Sequence, residues 1–167
     1  MALDDLVNKA FTPKTTQILR HKDTRRYLIA DAIAFCAGMG AAEAVTIWCH
    51  AHEFSDLANV TVTLAARSIC FYAANITAYT LLHRDSHKAG NRSARIDARK
   101  LSRANIYGAV VSDSLKFVGH LAALQCQWFA YWAAPLVVYP IAGIAGSGLR
   151  HYLNYKGGII VPKDISK

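Results

Sequence analysis

Four long apolar stretches, about 27–50, 58–83, 106–129 and 132–153, dominate the pattern of hydrophobic and polar positions along the chain. About twenty apolar helical residues span the hydrocarbon core of a bilayer, and each stretch reaches that length. A short polar piece from His50 to Asp56 separates the first two. The last two nearly touch, and their division rests on Trp128, Tyr131 and Trp132, which read as an interfacial aromatic belt, and on Pro135 just beyond. Buried helices of a soluble domain would show a polar face, and these stretches fill more than half the chain. The pattern therefore predicts an all-α membrane protein with four transmembrane helices, occupying residues 23–155. Upstream, Leu3, Leu6, Val7, Ala10 and Phe11 recur at helical spacing before Pro13, with Asp4, Asp5 and Lys9 on the other side. Residues 1–22 thus read as an amphipathic segment on the membrane surface or on a partner. Residues 156–167 read as a tail.

Composition agrees with this reading. Of 167 residues 53% are hydrophobic and only 18% charged, which excludes disorder and a highly charged soluble surface. The net charge of +8 alone would suggest nucleic acid or an anionic membrane, and the placement of the charges decides. Lys9, Lys14, Arg20, Lys22, Arg25 and Arg26 precede the first stretch. Arg84, Lys88, Arg92, Arg95, Arg99, Lys100 and Arg103 lie between the second and third, and Arg150, Lys156, Lys163 and Lys167 end the fourth or follow it. The two short connections on the other side carry no Lys or Arg. By the positive-inside rule both termini and the central loop are cytoplasmic. The basic run from Arg84 to Arg103 holds no aromatic residue for base stacking, so it reads as topogenic and lipid-facing rather than as a nucleic-acid patch.

Little covalent chemistry is expected. Cys36, Cys49, Cys70 and Cys126 lie in or at the ends of apolar stretches without C-x-x-C spacing, which predicts neither a metal site nor another cofactor. No nucleophile–base pair stands out, so the chain does not read as an enzyme. The first twenty residues lack the apolar region of a cleavable signal peptide.

The first and third stretches overlay at an offset of about 82 residues, placing Ala30 to Phe35 on Ser112 to Phe117 and Glu43 on Gln125. Two helical hairpins of the same orientation would form a parallel repeat. Five charges fall within the stretches: Asp31, Glu43, Arg67, Asp113 and Lys116. A charge facing lipid costs a few kcal/mol, so each is expected to be interior, paired or functional. Asp113 and Lys116, three apart, can pair on one helix. Glu43 and Arg67 lie at similar depth on adjacent helices and are expected to pair. Asn75, Thr77, His120, Gln125 and Gln127 could line a cavity or bond between helices. Gly38, Gly40, Ala41 and Ala42, with Ala142 to Gly148, offer small-residue faces for close helix packing.

Several short motifs occur in a telling order: Ala30-Asp31 with Glu43 further along, then Arg67 through Asn75-Ile76 to Arg84-Asp85, then Ala98 to Ser102, and Ser112-Asp113-Ser114-Leu115. In these the chain, over roughly residues 25–155, resembles the bacterial L-alanine exporter family, small inner-membrane proteins of four helices. It departs in a longer outer loop after Glu43, extra residues between Asp85 and Ala98, a different proline pattern, and Lys116 where an apolar or small residue is expected. The resemblance implies proton-driven export of a small neutral amino acid across the bacterial inner membrane. On that reading Arg67 would take the substrate carboxylate, Glu43 its ammonium, and Asn75 would complete the substrate site. Asp31 or Asp113 would carry the coupling proton. Four helices are few to enclose a path, so a homo-oligomer is expected among membrane lipids. The rival expectation is a non-catalytic accessory subunit of a larger membrane complex, using the same helices as packing surfaces.

Overall fold

The computed structural model describes residues 21–160, so all but the last two residues of the amphipathic segment expected over 1–22, and most of the expected tail, lie outside the described residues. Every regular element among the described residues is helical: α1 Lys22–Ala51, α2 Asp56–Leu82, α3 Arg84–Lys88, α4 Ala94–Gln125 and α5 Ala133–Lys156. Two of them, α1 and α2, are long and apolar enough to cross a membrane.

The helix ends follow from local chemistry. The His21 side chain accepts from the Asp23 backbone N–H, and the Ser55 Oγ accepts from that of Ala58, capping α1 and α2. Past α1 and past α4 the chain reverses through a left-handed residue, Glu53 (φ 55°) and Gln127 (φ 53°). In both turns the following amide bonds back into the last helical turn, Phe54 N to Cys49 O and Trp128 N to Ala123 O. This turn stops α4 at Gln125, short of the 129 expected. At its other end α4 begins well before the expected 106. The basic stretch around Arg95 to Arg103 is helix, with Asp97 in the first turn and Leu101 and Ala104 buried. α5 carries Pro140 in its interior.

The helices form two hairpins, α1–α2 and α4–α5, of the same orientation, joined mainly along α2 and α4 and only sparsely along α1 and α5. The hairpins are not in equal register. α1 runs 20 residues beyond Asp31 to Ala51, and α4 only 12 beyond Asp113 to Gln125. At 1.5 Å per residue the two aspartates stand about 12 Å apart in height. We call the end holding the start of α1 the base, and the end holding the two reversals the far end. One apolar cluster, with Tyr27, Tyr79, Leu101 and Ile159, fills the base. A second, with Met39, Ala42 and Tyr139, lies towards the far end. Between them the bundle is polar.

Candidate functional site

The polar layer is a cleft of about 450 Å³ walled by α1, α2, α4 and α5. Close backbone approach shapes it. A Cβ on Gly146 of α5 would overlap the Ser112 side chain and come within 2.6 Å of the Gly108 carbonyl, so α4 and α5 touch where only glycine fits. A Cβ on Gly38 of α1 would lie 3.1 Å from Phe71 Cβ and 3.2 Å from the Arg67 carbonyl on α2. These contacts bring four charge-bearing helix faces together around one space.

Two ion pairs cross between the hairpins. Asp31 on α1 accepts from Arg150 Nη2 of α5 at 2.8 Å, and His151 Nε2 lies 3.4 Å from the same oxygen. Its other oxygen accepts from Asn75 Nδ2 at 3.4 Å, and Asn75 in turn accepts from Asn105 Nδ2 at 3.2 Å. Asp113 on α4 accepts from Ser68 Oγ of α2 at 3.0 Å, and Arg67 Nη1 lies 3.6 Å from its other oxygen. The pattern Asp, then Arg followed by a second polar residue, thus occurs twice in sequence, and each hairpin's aspartate is held by the other hairpin's pair. The arginines are 83 apart and the aspartates 82. Both guanidinium groups lie over Phe71, Arg67 at 5.4 Å and Arg150 at 4.8 Å from the ring centroid.

Lys116 breaks the likeness. Its Nζ donates to Asp113 Oδ1 at 2.7 Å and to Ser112 Oγ at 2.9 Å, as expected for a pair three residues apart. At the corresponding place in the first hairpin stands Ala34.

Of the residues singled out from sequence, Asp31 and Arg67 line the cleft, and Asn75 and Asp113 hold its lining residues in place. The pairing expected between Glu43 and Arg67 does not form: among the described residues the only carboxylate within 4 Å of Arg67 is Asp113. Glu43 lies on α1 outside the cleft lining, with Oε2 buried and unbonded. Depth along a helix placed the two at one level, but their faces diverge, and the anion that meets Arg67 comes from α4. Sequence reading overlooked Arg150, His151, Ser68 and Asn105. Arg150 was legible in principle, because it stands in the same relation to Arg67 as Asp113 does to Asp31.

Beyond the cleft, His120 Nδ1 and the Tyr139 hydroxyl lie 2.9 Å apart, both fully buried, and the Tyr139 ring lies 5.6 Å from the Arg67 guanidinium carbon. Further towards the far end Thr63 Oγ1 donates to Asn59 Oδ1 and meets Thr46 Oγ1, each at 3.1 Å. Buried polar groups therefore continue from the cleft towards the far end. No family model, curated protein or solved structure matches this chain.

Proposed function

We propose that the protein is a small integral membrane transporter that exports a neutral amino acid such as L-alanine, driven by the proton gradient. All four long helices cross the bilayer in this reading, and the basic base faces the cytoplasm. The observation that carries it is a set of charged side chains buried in the middle of the bundle while large apolar side chains cover its outside. Arg67 and Lys116 are 6% and 2% exposed, whereas Ile144 is 74% and Val110 and Val118 are each 66% exposed. In water such an arrangement would be upside down, and in lipid it is the arrangement that avoids charge in hydrocarbon.

Arg67 supplies the cation for the substrate carboxylate. Asp31 and Asp113 are the carboxylates suited to carry the coupling proton, because protonating Asp31 releases Arg150 and protonating Asp113 releases Lys116. The lips of the cleft, with Leu28, Phe35 and Ile144, are exposed along the sparse α1–α5 side, which favours a homo-oligomer that covers them. The experiment is an efflux assay. Cells fed an alanine dipeptide are expected to accumulate more intracellular alanine when the gene is deleted, and to recover on restoring it. Equal accumulation with and without the gene would overturn the assignment.

A further inference from the structure

Three cations, Arg67, Lys116 and Arg150, meet two carboxylates, Asp31 and Asp113, in and around the cleft. Arg150 is held by Asp31 at 2.8 Å. Asp113 is engaged on both oxygens, by Lys116 at 2.7 Å and Ser68 at 3.0 Å. Arg67 is left at 3.6 Å from that carboxylate, and among the described residues its guanidinium makes no hydrogen bond. Its Nε is buried without a partner. A buried cation that only shares a carboxylate at a distance is under-compensated, and the planar fork of an arginine matches a carboxylate. Both resident carboxylates already have partners, so the cleft holds no free anion for an ammonium group. The rest of the cleft lining is largely apolar, with Phe35, Phe71 and Ile144 suited to a short hydrocarbon body.

We propose that Arg67 is a carboxylate receptor, kept from close pairing with Asp113 by Lys116, and that the cleft takes a small monocarboxylate by its carboxylate alone. The inference rests on reading this cleft as the transport site, and it names what is recognised there. An amino acid such as alanine then binds through its carboxylate, with its ammonium turned to the cleft mouth.

The test is direct binding to the full chain in lipid nanodiscs, with radiolabelled propionate and L-alanine as ligands and alaninamide as competitor. Propionate is expected to bind saturably and to be displaced by alanine but not by alaninamide, which has the ammonium and lacks the carboxylate. Arg67→Lys keeps the charge and loses the fork, and is expected to weaken propionate binding about tenfold or more. Lys116→Ala, which copies Ala34, lets Arg67 return to Asp113 and is expected to weaken it similarly. Melting followed by circular dichroism identifies variants that fold, and if Lys116→Ala does not fold, Arg67→Lys and the ligand comparison decide. Absence of saturable propionate binding to the folded protein, unchanged binding in Arg67→Lys, or displacement of alanine by alaninamide would overturn the proposal. Propionate binding without alanine efflux in cells would sustain this inference and remove the export reading. Alanine efflux without propionate binding would do the reverse.

Discussion

Arg92 holds three separated parts of the chain at the base. Its Nη1 donates to Asp23 at 2.8 Å, its Nη2 to the Gly158 carbonyl at 2.6 Å, and its Nε lies 3.1 Å from Asp97. The start of α1, the start of α4 and the segment after α5 are thereby tied to one side chain. His83 and His87 lie 3.5 Å from Asp23 and 3.3 Å from Asp97, and Arg92 is the one Lys or Arg in a salt bridge with either carboxylate among the described residues. Arg92→Leu strands two largely buried carboxylates, and is expected to cost about 3–5 kcal/mol. Adding Asp23→Asn and Asp97→Asn should recover much of that loss. Thermal melting in detergent checks both steps, and an Arg92→Leu protein that melts with the wild type would show the cluster to be inert. The same scale explains what sequence could reveal of the cleft. Asp31, Arg67, Asn75 and Asp113 stood out because polar groups inside apolar stretches need partners. The partners did not, since they depend on which way each helix face turns. Arg150 was also disguised by its position, near enough to the basic tail to read as a topogenic charge.

At the scale of elements, α1 and α2 were legible because each is a long, mostly apolar run with only one or two internal charges, bounded by polar segments. The start of α4 was not, because a basic run between two apolar stretches reads as a loop. It is helical because Asp97, Leu101, Ala104 and Asn105 recur on one face and are all buried. The reversal at Cys126 and Gln127 was likewise hidden, since Gln127 is not a residue type that announces a left-handed turn. The contact of α4 with α5 carries a prediction. Gly146 abuts Ser112 and the Gly108 carbonyl, whereas a Cβ on Gly148 would meet nothing within 4 Å. Gly146→Leu must push the second hairpin apart beside the cleft, and is expected to destabilise by about 1–3 kcal/mol or more. Gly148→Leu, two residues along the same helix, is expected to leave the melting of the monomer unchanged. Measuring the pair together separates packing from helix propensity, because both substitutions remove a glycine from a helix interior. Equal losses in the two variants would deny the close approach.

For the whole molecule, the distribution of charge between its two ends predicts an orientation for the proposed membrane crossing. Arg25, Arg26, Arg84, Arg92, Arg95, Arg99 and Lys100 gather at the base, and the far-end reversals, with His50, Glu53, Asp56 and Gln127, carry neither Lys nor Arg. If the helices cross the inner membrane with the base in the cytoplasm, the far end faces outward. Two native cysteines make this measurable. Cys126 is exposed at the far-end reversal after α4, and Cys49 near the same end is buried. A variant that keeps Cys126 alone is expected to react with a membrane-impermeant maleimide in intact cells. One that instead carries Arg95→Cys, on the exposed part of α4 at the base, is expected to react only after the membrane is opened. The inverse pattern would reverse the orientation. Reaction of both in intact cells would mean that the bundle does not separate two compartments, and export through the cleft would then have no physical basis.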